Sequence, residues 1–348
     1  MKEGPINLYS DTQTRPTPAM RLAMLEAEVG DEQNHLDPTV NRLCAAVADR
    51  LGKEAAVFLP SGTMCNEIAM LVHCHRGDEI YAHRTAHIIN YEAAGAAALA
   101  GTAVRGLDGA RGIYTADTLR AALREENRYA PRSRLVEVEQ TAQGGGGAVW
   151  SLDEIEAVTE VAKAHDLRLH MDGARLFNAV VASGVPARLF AAPFDSVWID
   201  LTKGLGCPVG AVLAGSARFI DEAWRWKQRM GGAMRQAGML AAAGLHALDH
   251  HVDRLAEDHE NARRFGEIVS QCEGVRLAFE PIETNLVFID VSGTGVSPGD
   301  VCALLEERGV NVGGYSTTLL RAATHLDVSR TQVEEAAAVF VETVNALV

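Results

Sequence analysis

The sequence predicts an α/β protein: a mostly parallel sheet with helices on both faces, followed by a smaller α+β layer. Two observations carry this. From Ala55 to Ala214, short apolar runs rich in β-branched residues alternate with helical patterns, in units long enough for parallel crossovers. Beyond residue 255 the regular alternation stops, and strands and helices follow in a different order.

In chain order, Ile6–Arg15 reads as an extended arm, and Pro16 and Pro18 open a helix with apolar Met20, Leu22, Met24 and Leu25. A polar loop, Gly30–Asp37, precedes a helix over Pro38–Leu51. Ala55–Pro60 is a strand, Ser61-Gly62-Thr63 a turn, and Met64–Cys74 an apolar helix. Glu79–Ala82 reads as a strand, Ala86–Ala100 as a small-residue helix, and Thr115–Glu126 as a helix. Arg134–Val138, Leu167–Met171, Ser196–Leu201 and Val209–Ala214 are strands; Ser151–His165 and Ala174–Ser183 are helices between them. Gly238–Phe265 is one long helical stretch. Val275–Phe279, Asn285–Val291 and Leu319–Ala322 then form the second layer, with helices over Pro298–Glu307 and Ser329–Val348. The expected division is an N-terminal arm over 1–20, a large domain over 21–255 and a small domain over 256–348. There is no internal repeat, and Gly144–Gly147 is the only low-complexity patch.

A net charge of −14 argues against a nucleic-acid or anionic-membrane partner. No apolar run has the length of a membrane span, and Met1–Pro5 carries no signal-peptide core. The six cysteines form no Cys-x-x-Cys pair, so free thiols in a reducing cytoplasm and no metal site are expected.

Four places can carry chemistry, each beside a plainer alternative. Ser61-Gly62-Thr63 joins a strand to a helix, where free N–H groups and the helix dipole favour phosphate; the alternative is an ordinary capped turn. Asp172 follows a buried strand, where open α/β sheets bind ligands, and a carboxylate there holds a ring nitrogen protonated; the alternative is an N-cap. Lys203 ends the apolar run Val197–Leu201. A covered amine there is a nucleophile, and a solvated one is an ordinary turn lysine. His87 can stack on a ring or act as acid or base, or simply fill a core or cap position. Arg321 ends a strand of the second layer, positioned either for a carboxylate or for a surface ion pair. His165, His250 and His251 have helix-surface spacing. Gly144–Gly147 lacks the G-x-G-x-x-G spacing of a dinucleotide site, and its glycines serve close approach or tight turning.

Taken in order, a phosphate-type turn, a histidine, a strand-end Asp with Arg175 and a strand-end Lys resemble a fold-type I pyridoxal-phosphate (PLP) enzyme. The chain is similar, more narrowly, to the low-specificity L-threonine aldolases of the β-eliminating lyase group. The resemblance rests on Ser10–Pro16, Asp37–Asn41, Pro60–Asn66, Ala86–Ile88, His170–Ala179, Thr202–Gly210, Gly231–Gly238 and Thr324–Ser329. It implies that Lys203 forms the Schiff base with PLP, that Asp172 pairs with the pyridine nitrogen and that His87 stacks on the ring. Gly62 and Thr63 match phosphate-binding positions, and Arg235 matches an arginine that reaches the phosphate from a neighbouring subunit. Ser10, Arg175 and Arg321 match contacts to the substrate carboxylate, with Arg175 also in the cofactor set. The implied assembly is a homodimer, usually paired into a tetramer. The implied reaction cleaves L-threonine-like or L-allo-threonine-like β-hydroxy amino acids to glycine and an aldehyde.

Three stretches depart from the family pattern. Asn34-His35-Leu36 precedes Asp37 where relatives have Tyr-Gly-Glu. Glu139-Gln140-Thr141-Ala142-Gln143 puts Ala142 where they have a histidine near the substrate hydroxyl. Gln228 replaces a phosphate-side lysine, with Lys227 and Arg229 beside it. The base for the β-hydroxyl is then His87, an ordered water or His35. Two other functions stand beside the aldolase reading: another PLP reaction on this scaffold, such as β-elimination or racemisation, and a catalytically silent binding protein.

Overall fold

A computed structural model describes residues 4–347. The arm begins with β1 (Ile6–Asn7), and after the helices α1 (Pro18–Leu25) and α2 (Pro38–Leu51) the apolar runs become strands. These are β2 (Ala55–Leu59), β3 (Asp78–His83), β4 (Ala103–Leu107), β5 (Arg132–Glu139), β6 (Arg168–Gly173), β7 (Ser196–Asp200) and β8 (Ala211–Gly215). They form one seven-stranded sheet in the order β2-β8-β7-β6-β5-β3-β4. Only β8 runs against its neighbours, β2 and β7. An antiparallel return needs no crossover helix, so the chain from Leu201 to Gly210 stays at the C-terminal edge of β7. The helix α3 (Gly62–His73) leaves β2 at the same edge.

The second layer holds β9 (Arg276–Leu277), β10 (Leu286–Asp290), β11 (Val310–Asn311), β12 (Gly313–Gly314) and β13 (Leu319–Ala323). Four of these form a sheet in the order β12-β13-β10-β9, while β11 pairs in parallel with β1. The arm is thereby bound to the second layer. Its Leu8 is fully buried in a core with Phe265, Val287, Leu305 and Phe340, separate from the core under the large sheet.

Several elements differ from expectation, for identifiable reasons. Ala86–Ala100 is not one helix: it divides into short helical turns at His87–Asn90 and Ala96–Ala100. Between them Ala93 and Ala94 take positive φ, and Glu92 turns inward to bond Asn66 and His87. The expected helix over Gly238–Phe265 is two, Gly238–His250 and Leu255–Val269. His251, expected on a surface, is buried at the break, where its ring bonds the Leu205 carbonyl at 2.8 Å. The Thr115–Glu126 helix is shorter, Ala116–Ala122. Strand β4 and the helices Ala187–Ala191 and Ala217–Arg229 were not anticipated. In β4 the strand is short and contains Arg105 and Gly106, so no apolar run announces it. Gly146 and Gly147 both take positive φ, and a Cβ on Gly145 would lie 1.7 Å from the Arg111 carbonyl oxygen. That stretch does require close approach and tight turning. Among the described residues no helix is long and apolar enough to cross a membrane, and all six cysteines are free.

Candidate active site

The C-terminal ends of β5, β6 and β7 and the N-terminus of α3 surround a cavity of about 410 Å³. Glu139 ends β5, Asp172 stands one residue from the end of β6, and Asp200 ends β7. This is the edge at which open α/β sheets receive ligands. A second cavity of about 580 Å³, lined by Lys53, His73, Arg134 and Arg168, lies at the opposite edge and holds none of the expected site residues.

Lys203, His87, Asp172, Gly62, Thr63, Ser10, Arg175 and Arg321 all line the first cavity. They come from both layers and the arm. Lys203 is paired with Asp200 three residues before it and lies 5.7 Å from the Trp198 ring centroid. Its loop is tied down from the arm, where the Thr14 hydroxyl donates to the Lys203 carbonyl at 3.0 Å. Asp172 is buried and accepts from Asn66 Nδ2 at 2.9 Å and from the Ala174 N–H at 3.0 Å. Its second bond closes a turn two residues on; the helix that follows starts at Leu176 with Arg175 in the capping position and no side-chain cap, so Asp172 is not the N-cap that was the plainer alternative.

At the start of α3, Ser61 caps the Met64 N–H at 3.2 Å. The N–H groups of the first helical turn lie beyond the reach of intrahelical carbonyls. A Cβ on Gly62 would sit 2.2 Å from the Trp198 ring, so glycine is what lets the helix end approach the cavity floor.

Arg175 is fixed by a bidentate pair with Asp11, both N–O distances being 2.7 Å. Asn285 adds a third bond to Asp11 at 2.9 Å. Burial works against the Asp11 charge, but the Arg175 guanidinium outweighs it and holds the carboxyl well below its ordinary range. Arg321 differs: among the described residues it forms no ion pair, only a 3.4 Å bond to the Tyr9 carbonyl. Burial pulls its pKa down. A half-buried, unpaired guanidinium on a cavity wall is suited to an incoming carboxylate.

His87 donates its backbone N–H to Glu139 at 2.8 Å, and its Nδ1 lies 2.7 Å from Glu92. Burial alone would lower its pKa, but the Glu92 bond and the Asp172 charge raise it. Glu139 is buried, and burial and the Asp172 charge push its pKa up to about 7. Glu137, one turn of the pleat behind, has neither oxygen hydrogen-bonded and is raised well above its ordinary value by burial first. Carboxylates of this kind can carry protons near neutrality.

Three expected residues fall outside the cavity of their own chain. Arg235 is exposed, 3.9 Å from Asp31. His35 packs edge-on against Trp224 at 5.2 Å. Ala142 is buried with its methyl close to the space beside Gly112, and Glu139 and Gln143 line that part of the cavity instead. Lys227, flanking Gln228, is consumed by a buried pair with Glu32. The sequence reading missed Asp11, Asp200, Glu92, Asn66 and Glu139. Glu139 and Asp200 carried the same signal as Asp172, an acid closing an apolar strand; the other three carried none.

The residues present fit a phosphorylated pyridine aldehyde. A buried carboxylate, a helix N-terminus and a lysine share one cavity, so Asp172 would face the ring nitrogen, Gly62 and Thr63 the phosphate, and Lys203 the aldehyde carbon.

The family model described as "Beta-eliminating lyase" matches residues 7–293. The chain is 40% identical over 334 residues to the low specificity L-threonine aldolase of Escherichia coli (strain K12), covering 96% of this chain and 97% of that protein. It is 39% identical over 333 residues to low-specificity L-threonine aldolase 1 of Arabidopsis thaliana, covering 94% and 93%. A solved structure of Leishmania major threonine aldolase superposes with a TM-score of 0.84 at 19% identity, covering 98% of this chain and all of that one. The fold is therefore the fold-type I architecture expected from the resemblance. The chain belongs to the β-eliminating lyase family.

Proposed function

We propose that this protein is a PLP-dependent carbon–carbon lyase that cleaves L-threonine-like and L-allo-threonine-like β-hydroxy amino acids to glycine and an aldehyde. The observation that carries the reading is the convergence of Lys203, Asp172, His87 and the unpaired Arg321 on one cavity. The similarity to threonine aldolases over nearly the whole chain supports it.

PLP, when bound, supplies an electron sink for the bond broken at Cα. The chain supplies the rest. Lys203 would hold the cofactor's aldehyde carbon covalently. Asp172 keeps the ring nitrogen protonated. Arg321, with the Asp11-braced Arg175 and Ser10, would receive the substrate carboxylate and fix the orientation of Cα. His87 lies on the same cavity wall to take the β-hydroxyl proton, and Glu139 braces it through its backbone.

We assign Arg235 to a neighbouring copy's site, because its side chain is exposed and outside its own cavity. The protein is then a homo-oligomer, a dimer or dimer of dimers. Six free cysteines support a cytoplasmic location.

The test is product analysis on threonine, allo-threonine and phenylserine. Glycine with one equivalent of aldehyde is expected. A keto acid with ammonia would assign β-elimination instead, and a racemised amino acid would assign racemisation.

A further inference from the structure

Behind Asp172 a chain of hydrogen bonds runs from the active cavity to the opposite edge of the sheet. Its centre is Asn66, fully buried on α3. Asn66 Nδ2 donates to Asp172 Oδ2 at 2.9 Å and to Glu92 Oε1 at 2.7 Å. Its Oδ1 accepts from Trp198 Nε1 at 2.7 Å and lies 3.0 Å from His170 Nε2. The chain continues from His170 Nδ1 to the Ser196 hydroxyl at 2.8 Å, and from there to His73 Nε2 at 2.8 Å. His73 lines the cavity at the opposite edge of the sheet.

The direction of the bonds from Asn66 to His73 follows from the groups that can only donate or only accept. An indole N–H only donates, so the amide oxygen faces Trp198 and both amide hydrogens face carboxylates. His170 Nε2 meets an acceptor and must carry a proton. Burial holds His170 neutral, with its pKa pushed down to about 3. Its Nδ1 is then bare and accepts from Ser196. Ser196 has spent its only proton, so His73 Nε2 donates to it; His73 is likewise neutral by burial, at about 3. On the other branch Glu92 Oε1 accepts from Asn66; burial raises the Glu92 pKa while the His87 and Asn66 bonds oppose it, and with Glu92 ionised His87 Nδ1 donates to it. Nε2 is left as the basic nitrogen of a ring that lines the active cavity.

We propose that Asn66 is a positioning residue that joins the two working halves of the site through one primary amide. One hydrogen holds the carboxylate that faces the cofactor ring. The other holds the carboxylate that sets the tautomer of His87. The Trp198 and His170 donors lock the amide so that both hydrogens point the right way. This deepens the function proposed above and rests on its assignment of Asp172 and His87.

The test compares native holoprotein with Asn66→Asp and Asn66→Ser, using ¹⁵N-histidine NMR, pyridoxal phosphate binding and steady-state kinetics. Resonances of His87 and His170 are assigned from His87→Gln and His170→Gln proteins. The native spectrum should show His87 protonated on Nδ1 and His170 on Nε2. Asn66→Asp keeps the volume and the acceptor but leaves at most one donor, a proton shared with the neighbouring carboxylates; Asn66→Ser also keeps one donor at most. Both should weaken cofactor binding about 10-fold or more, the size expected for losing a hydrogen bond to a charged group. Both should lower kcat by a similar factor with little change in KM, and broaden or shift the His87 tautomer signal. Asn66→Asp that binds cofactor as tightly as the native protein, with an unchanged His87 signal, would reduce Asn66 to a packing role. A native spectrum with His87 protonated on Nε2, or His170 on Nδ1, overturns the proposal even if neither variant folds. Cofactor affinity and tautomers do not depend on the product formed, so failure of the aldolase assignment shows separately, as absence of glycine from the native protein.

Discussion

Lys203 owes its position to residues on either side of it in space. Asp200 pairs with its amine, Trp198 lies under it, and Thr14 of the arm holds its carbonyl. Replacing Lys203 with Ala leaves these supports in place and removes only the amine. The expected result is a folded protein that lacks the visible absorbance of lysine-bound cofactor (near ~420 nm) and has no turnover. An intact band in Lys203→Ala protein would move the covalent anchor elsewhere. At this scale the sequence was informative wherever a residue's position along a strand fixes its place. Asp172 and Lys203 sit at strand ends, and strand ends are readable from apolar runs. Asp11 was invisible because its meaning lies in Arg175, 164 positions away. Asn66 lies in a helix with an apolar pattern, and only its contacts with four residues on three other segments disclose a role.

Among the elements, the entry to α2 carries a contact of unusual reach. Asp37 accepts backbone N–H bonds from Thr39 and Val40 at the helix start. It also accepts from Gly30 at 3.0 Å and from Gly238, the first residue of a distant helix, at 2.9 Å. One buried carboxylate thus ties a loop and two helices. Asp37→Ala strands four donors, and the expected loss of stability is about 2–4 kcal/mol, more than a simple cap. Asp37→Asn keeps one of the two accepting oxygens and turns an amide N–H toward two backbone donors, so it should recover little of the loss. Denaturant midpoints of the two variants check this; equal midpoints for Asp37→Ala and the parent would show that water replaces the carboxylate. The elements that sequence periodicity misread failed for a related reason. Ala86–Ala100 has helical composition, yet the inward pull on Glu92 breaks it. Gly95 must also be glycine there, because a Cβ would overlap the Glu67 carboxylate.

In the whole molecule, buried carboxylates gather on the cofactor side of the sheet. Glu67 and Glu139 are each pushed up to about 7, by burial first and by a neighbouring acid second. An acid whose folded pKa exceeds its unfolded value of about 4.5 binds more protons when folded. Its contribution is therefore fully present below pH ~4.5 and declines as pH rises through 7. Glu139→Gln removes one such group. In the cofactor-free protein, the stability of this variant relative to the parent should improve by about 2–3 kcal/mol between pH 4.5 and 8. The comparison cancels the buried histidines His73 and His170, which act in the opposite direction. A pH-independent difference in unfolding free energy would mean that Glu139 is ionised throughout. The sequence by itself determined the alternation of strands and helices and the sheet edge at which chemistry sits, and these follow from periodicity and chain punctuation, which are local. Cavity residues such as Ser10 and Arg175 came from the family resemblance. Only the tertiary structure decided which acid braces Arg175, which amide joins Asp172 to Glu92, and where two expected helices break. Those outcomes depend on side chains far apart in sequence finding the one arrangement that satisfies buried charge, and no local pattern encodes that.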